Sequence, residues 1–275
     1  MLIDHHTHTR LFSFDGRQTG GELLDAAVQS QLAGVCLTEH FEKDVSYVAG
    51  EEAVFNLDRY ARAIRDLQAQ GSRLGVRVLY GIELGYLPHL DALYGRLALR
   101  YPFDAIILSL HILDGEDPYS DQAIYLRGRR HVYGRYLEQL ADMVDGCPDW
   151  DILGHFDYIS RYAPWEHRKL TFAEQPDRFD HLLRRLAATG KTLEINTATV
   201  RVLRASGLSA AAAWPDPAIL AHYRALGGER VCLSSDAHDA AGVGGLLPEG
   251  RDWLRAQGFA YLTHITNRQA VMTSI

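Results

Sequence analysis

The chain has 275 residues, of which 47% are hydrophobic and 23% are charged, as in an ordinary globular protein. Its formal net charge of −7 gives no sign of a nucleic-acid-binding surface, so we expect no nucleic-acid partner. No apolar run reaches the length of a transmembrane helix, and the N-terminus lacks the charge and hydropathy pattern of a signal peptide.

Seven short, apolar runs predict β-strands that are covered on both faces, as in a parallel sheet. In chain order they are Met1–His6, Gly34–Thr38, Val76–Glu83, Phe103–Ser109, Trp150–Gly154, Thr192–Asn196 and Arg230–Ser234. Helices are predicted between them, with caps such as Asn56 and Gly190 at their ends. The predicted helices are Gly21–Leu32, Leu57–Gln70, Asp121–Val144, Arg178–Thr189 and Ala218–Leu226.

The regular succession of β and α units has no break in composition, which predicts one domain over residues 1–275. Acidic residues and imidazoles stand at the C-terminal end of nearly every predicted strand. Only a closed or nearly closed parallel barrel brings all those ends around one mouth, so we expect an α/β barrel.

The strand-end side chains are the main chemical signal of the sequence. In chain order they are His6, His8, Glu39, His40, Glu83, His111, His155, Asp157, Glu194, Asn196, Asp236 and His238. His6 and His8 are two residues apart, so in an extended strand they point to the same side. His5 points away and is expected to be structural or to support a ligand from behind. Imidazole with carboxylate suits Zn²⁺, Mn²⁺ or Fe²⁺, and a set this large predicts two or three ions.

The remaining residues of interest have less specific contexts. Six histidines fall on predicted helices or loops and are interpreted as surface or packing residues: His89, His131, His167, His181, His222 and His264. Cys36, Cys147 and Cys232 form no disulfide framework, which favours a reducing, cytoplasmic location. The sequence does not indicate an oligomeric state.

The ordered motifs resemble the polymerase and histidinol phosphatase (PHP) family over nearly the whole chain. They are Asp4-x-His6-x-His8, Thr38-Glu39-His40, Glu83, His111, His155 and Asp236-x-His238. The segment from Ser109 to Gly115 is similar to that of the monofunctional histidinol-phosphate phosphatase branch, as are the segments His155–Arg161 and Glu194–Thr197 with Arg201.

This resemblance implies a distorted (β/α)7, TIM-barrel-like PHP fold with a trinuclear metal site. By position, the first ion would be held by His6, His8, Glu83 and Asp236. Glu83 would bridge to a second ion on His111 and His155. The third ion would be held by His40, His238 and, in the loop after the first strand, Asp15.

The same resemblance implies a hydrolase acting on a small-molecule phosphate ester. Arg161 and Arg201 would bind the phosphate oxygens. A metal-activated hydroxide would attack phosphorus, and the catalytic metal ligands would be Glu83, Asp236 and His238. The expected substrate is L-histidinol phosphate, an intermediate of histidine biosynthesis. Two alternatives stay open, namely a PHP phosphoesterase acting on a nucleotide or sugar phosphate and a non-catalytic metal-binding module.

Overall fold

A computed structural model describes residues 1–48 and 51–275 of the chain. Within these residues the strands are β1 Ile3–Thr7, β2 Gly34–Leu37, β3 His40–Val48, β4 Glu51–Ala53, β5 Arg77–Gly85, β6 Ala105–Ser109, β7 Ile152–Leu153, β8 Thr192–Asn196, β9 Val231–Ser234, β10 Tyr261–Thr266 and β11 Gln269–Ser274. The α-helices are α1 Gly20–Gln29, α2 Leu57–Leu74, α3 Asp91–Arg100, α4 Arg129–Gly146, α5 Pro176–Thr189, α6 Thr197–Ala205, α7 Pro217–Ala225 and α8 Leu247–Ala256.

Seven parallel strands form the barrel in the order β1-β2-β5-β6-β7-β8-β9. The ends of the sheet approach each other where Thr7 forms a parallel bridge to Ala237. There the amide of His8 donates to the Ala237 carbonyl oxygen over 2.9 Å. The predicted (β/α)7 barrel is therefore confirmed, and its nearly closed wall places the C-terminal ends of all seven strands around one opening.

Side chains alternate between two apolar cores along the barrel strands. Val35 and Leu37 of β2 face the helices, whereas Cys36 between them faces the barrel interior. The interior core also takes in Ile265 of the C-terminal hairpin β10–β11. Apolar packing thus fills the N-terminal half of the barrel and leaves the C-terminal half to polar side chains.

Two helix predictions need correction. The predicted helix Asp121–Val144 is a 3₁₀ turn over Gln122–Arg127 followed by α4, because Gly128 between them has a φ of 87° that breaks the helix. Helix α2 continues through Gly71, where a Cβ would lie 2.5 Å from the Val76 carbonyl oxygen, so this glycine permits close packing. The helix ends instead at Gly75, which is left-handed with a φ of 73°.

Several elements were not predicted. They are the β3–β4 pair, the β10–β11 hairpin, and helices α3, α6 and α8. The hairpin turns at Asn267 and Arg268, which both have positive φ, without the Asn-Gly sequence that usually signals such a turn. None of the helices in the described residues is long and apolar enough to cross a membrane.

Candidate metal centre

The first ligand group lies at the ends of β1, β5 and β9. His6 Nε2 is 3.2 Å from Glu83 Oε2 and 3.6 Å from Asp236 Oδ1. His8 Nε2 is 3.6 Å from Glu83 Oε2 and 3.3 Å from Asp236 Oδ1. Ligands about 2.1 Å from a tetrahedral Zn²⁺ lie about 3.4 Å from one another, so these four atoms are spaced as the corners of a metal site.

The second group uses the other oxygen of Glu83. Oε1 lies 3.3 Å from His111 Nε2 and 3.0 Å from His155 Nε2, and the two imidazole nitrogens are 3.2 Å apart. The hydroxyl of Ser109 donates to the same Oε1 over 2.6 Å and so holds the carboxylate in place. One buried carboxylate therefore faces both groups, one oxygen to each.

The third group is closer to the surface. His40 Nε2 is 3.3 Å from His238 Nε2, and these nitrogens lie 3.7 and 3.1 Å from the two oxygens of Asp15. The Asp15 side chain is 41% exposed, unlike the fully buried Glu83. Burial opposes ionisation of Asp15, but the neighbouring His40 and His238 outweigh it and lower the pKa of this carboxyl group below its usual value.

Three buried atoms of the first group lack a hydrogen bond, although one of them, Glu83 Oε2, lies 2.8 Å from His40 Nδ1. Among the described residues, His6 Nε2, His8 Nε2 and Glu83 Oε2 are buried and make no hydrogen bond. Such orphaned atoms are rare in folded proteins and point to an ion between them. Burial also lowers the pKa of His8 to about 3, which keeps its imidazole neutral with a lone pair available for a metal. The donor set thus fits divalent metal.

The Nδ1 atoms of His6 and His8 each contact a side chain behind the ring. Glu194 Oε1 lies 2.8 Å from His6 Nδ1, and the same carboxylate accepts the His155 amide over 2.5 Å. Burial opposes ionisation of Glu194, yet the charge and hydrogen bond of His6 dominate and lower its pKa to about 2. The hydroxyl of Ser13 lies 3.1 Å from His8 Nδ1 and donates to Glu39 Oε2 over 2.6 Å. A metal-bound imidazole needs such a partner on its other nitrogen.

Asp236 sits in a turn after β9. Its φ of 52° is left-handed, a conformation that aspartate adopts more readily than most non-glycine residues. The side chain then presents Oδ1 to the imidazoles of the first group and Oδ2 to Arg161. Asp4 secures this turn, because it accepts the Ser235 amide over 2.8 Å and the Gly244 amide over 2.9 Å. Asp4 is thus a support of the turn, a role that the sequence motif did not reveal.

Both predicted arginines border the opening above the clusters. Arg161 is buried; its Nε donates to Thr199 Oγ1 over 2.8 Å and its Nη1 to Asp236 Oδ2 over 2.9 Å. Within the described residues its Nη2 has no hydrogen-bond partner. Arg201 donates to the Ser235 carbonyl oxygen over 2.9 Å. The cavity has a volume of about 1150 Å³, which suits a small-molecule ligand, and both arginines line it together with most of the ligand side chains.

The histidines that were not predicted as ligands lie outside these groups. His5 contacts His264, with Nε2 and Nδ1 3.0 Å apart and the rings stacked. His264 was expected on a helix or loop, but it is buried on strand β10. His89 and His222 lie 2.8 Å from Asp44 and Asp180, respectively, in exposed or half-buried surface pairs.

The sequence matches the family model described as the PHP domain over residues 4–198, which is well over half of the chain. The chain belongs to the PHP family. Asp236 and His238 lie beyond the matched residues, so their place in the centre is argued from the geometry above.

Known proteins resemble this chain over most of its length. A histidinol-phosphatase of Lactococcus lactis subsp. lactis is 28% identical over 253 residues, covering 92% of this chain and 86% of the relative. The crystal structure of histidinol phosphate phosphatase from the same organism, complexed with Zn, L-histidinol and phosphate, superposes with a TM-score of 0.83 at 25% identity and 98% coverage of both chains. A Listeria monocytogenes structure supports the fold alone, with a TM-score of 0.72 at 17% identity, covering 90% of this chain and 99% of its own.

Proposed function

We propose that this PHP protein is a metal-dependent phosphomonoesterase that hydrolyses L-histidinol phosphate to L-histidinol and phosphate. The observation that carries the proposal is the Glu83 carboxylate, which faces two groups of buried imidazoles below an arginine-lined cavity. The substrate is suggested by the superposed relative, whose crystal structure holds L-histidinol and phosphate. The fold by itself would not specify the leaving group.

The proposed ligand sets are those of the three groups described above. We propose two or three divalent ions, with Zn²⁺, Mn²⁺ and Fe²⁺ as the candidates, because imidazole and carboxylate donors accept all three. Glu83 would bridge the first two ions, and the more exposed Asp15 would complete the third site with His40 and His238. When bound, such ions would offset phosphate charge and make water a nucleophile near neutral pH.

Arg161 and Arg201 would bind the phosphate oxygens. Nη1 and Nε of Arg161 are held by Asp236 and Thr199, which leaves the buried Nη2 for an anion in the cavity. A guanidinium desolvated and oriented in this way binds a phosphate oxygen through a strong, charge-assisted hydrogen bond.

His238 is proposed as a ligand of the third ion and not as the proton donor to the leaving oxygen. Its Nε2 faces Asp15 and His40, and its Nδ1 lies 3.1 Å from the Asp236 carbonyl oxygen. Neither nitrogen therefore has a free N–H for the leaving group, and we propose water as the proton donor.

We also propose the extent of the domain, the cellular location and the partner. Residues 1–275 are interpreted as one domain, because β10 and β11, at the end of the chain, close the interior of the barrel that β1 begins. The free, buried state of all three cysteines agrees with a cytoplasmic location. The partner is a small phosphate ester.

Phosphate release tests the substrate. Protein reconstituted with Zn²⁺, Mn²⁺ or Fe²⁺ is assayed on L-histidinol phosphate, on nucleoside monophosphates and on sugar phosphates, with chelator-treated protein as the control. We expect kcat/KM for L-histidinol phosphate to exceed every other value at least tenfold. A tenfold preference for a nucleotide or sugar phosphate would refute the substrate, and metal-loaded protein without activity on any ester would favour the non-catalytic module.

A further inference from the structure

Glu42 is a buried carboxylate that belongs to none of the three ligand groups. It lies on β3, two residues after His40, and is 1% exposed. Its Oε1 is 2.6 Å from His111 Nδ1, on the opposite edge of the ring from the Nε2 that faces Glu83 and His155. The same Oε1 lies 3.5 Å from His40 Nδ1, a longer contact. Glu42 therefore touches the centre only through imidazoles, and most closely through His111.

The barrel wall is shaped to admit this carboxylate. A Cβ placed on Gly85 would lie only 1.6 Å from Glu42 Oε2, so no other residue at that position leaves room for the side chain where it stands. Gly85 ends β5, two residues after Glu83, and β3 runs parallel to that strand from His40 to Phe41. The bridging carboxylate and the space for Glu42 are thus supplied by the same strand.

The hydrogen bond decides which nitrogen of His111 is available. A carboxylate at Nδ1 accepts the N–H there, which leaves the lone pair on Nε2, where a metal would bind. The ring is also prevented from rotating, because the bond is short and both partners are buried. Glu42 therefore orients His111 and increases its basicity as a ligand.

The other imidazole of the second group has no such anchor. Among the described residues, the buried His155 Nδ1 makes no hydrogen bond. Only His111 in that pair is therefore held from behind, whereas in the first group His6 has Glu194 and His8 has Ser13. Removal of the Glu42 carboxylate should therefore weaken the binding of the second ion the most.

We propose that Glu42 is a positioning residue that holds His111 for the second metal ion and thereby sets the affinity of that site. This inference rests on the metal centre of the proposed function, but it assigns a role to a residue outside the ligand set. Outer carboxylates of this kind typically change metal affinity by about 10–100-fold.

Metal binding tests the role directly. Metal-free wild-type protein and the variants Glu42→Gln and Glu42→Ala are titrated with Co²⁺, followed by visible absorption, and with Zn²⁺ against a chromophoric chelator. We expect one ion to bind about 10–100-fold more weakly in Glu42→Ala, with a smaller loss in Glu42→Gln, whose amide oxygen still accepts a hydrogen bond. The first ion should bind as in the wild type.

Two further variants separate positioning from general damage. Glu52→Gln makes the same change on the neighbouring strand β4, at a half-exposed carboxylate 2.6 Å from Lys43 Nζ, and should bind all ions normally. Gly85→Ala retains Glu42 but displaces its carboxylate, so it should show the same loss of metal affinity as the Glu42 variants. Thermal unfolding of each metal-free variant identifies any that fail to fold.

The outcomes distinguish the two proposals. If the wild type binds no Co²⁺ or Zn²⁺, the metal centre of the proposed function is wrong. If the wild type binds ions and folded Glu42→Gln and Glu42→Ala bind the same number with affinities within threefold, only the role of Glu42 is refuted. Weakening of every ion to the same extent would also refute it, because the effect would then be general.

Discussion

Arg161 and Asp236 form a buried ion pair in which Nη1 lies 2.9 Å from Oδ2. The other oxygen of Asp236 faces the imidazoles of the first group, so one carboxylate links the proposed phosphate-binding arginine to the proposed metal ligands. A guanidinium held in this way is already oriented before substrate enters, which lowers the cost of binding a dianion.

Replacing Arg161 with lysine should reduce catalysis. Lysine cannot contact Thr199, Asp236 and a phosphate at once, so we expect kcat/KM for L-histidinol phosphate to fall about 10²–10³-fold, roughly 3–4 kcal/mol. Steady-state kinetics measures the loss, and Arg201→Lys should show a smaller one. The control is Arg185→Lys, at a half-exposed pair with Asp145; kinetics of Arg161→Lys within threefold of wild type would remove this residue from the site.

The metal content of two carboxylate variants should differ. Glu83 faces both inner groups, so Glu83→Gln is expected to lose two ions, whereas Asp15→Asn should lose only the outer one. Elemental analysis after gel filtration gives the number of ions per chain. A larger loss from Asp15→Asn than from Glu83→Gln would contradict the bridging role.

Removing the metal should destabilise the folded chain. Without ions, the nitrogens of His6 and His8 that lack hydrogen bonds stay buried next to each other. An ion whose free concentration is about 100 times its Kd stabilises the folded chain by about 2.7 kcal/mol. We expect a chelator to lower the Tm of the loaded protein. The Tm of Glu83→Gln should respond much less to chelator, and an equal shift in both proteins would show that the stabilising ions bind elsewhere.

His264 should make the chain sensitive to acid independently of the metal centre. Burial, together with the N-terminal amino group, lowers the pKa of His264 to about 4, so the unfolded chain binds this proton more readily than the folded one. Stability linked to this group is therefore present above about pH 6.5 and is lost as the pH falls towards 4.

A comparison with His264→Gln isolates this contribution. Between pH 7 and pH 4 the wild type should lose about 3 kcal/mol more unfolding free energy than the variant. Urea unfolding in the presence of chelator measures the difference, and His131→Gln, at an exposed histidine, is the control. Equal losses in wild type and His264→Gln would disprove the effect.

Much of the barrel follows from local patterns. Continuous apolar runs predicted all seven barrel strands, because a parallel strand buried on both faces needs apolar side chains at every position. Thr192–Asn196 was predicted to the residue. The strands that were missed lack this pattern: β3 carries charged residues, and the β10–β11 turn uses Asn267 and Arg268 in place of a glycine. Helices α3, α6 and α8 were missed as well.

The sequence by itself determined which side chains gather at the barrel mouth. Their positions at successive strand ends leave little choice once the sheet is parallel, and His6 and His8 share a side because a strand repeats every two residues. Tertiary structure alone decided their supports and the partners of buried side chains outside the centre. Glu42 with His111, Asp4 with Ser235 and His5 with His264 are separated by 69, 231 and 259 residues. No local pattern encodes such pairs, because they depend on the alignment of strands that are distant in sequence. They also depend on small spaces between side chains, such as the one that the absence of a Cβ at Gly85 leaves for Glu42.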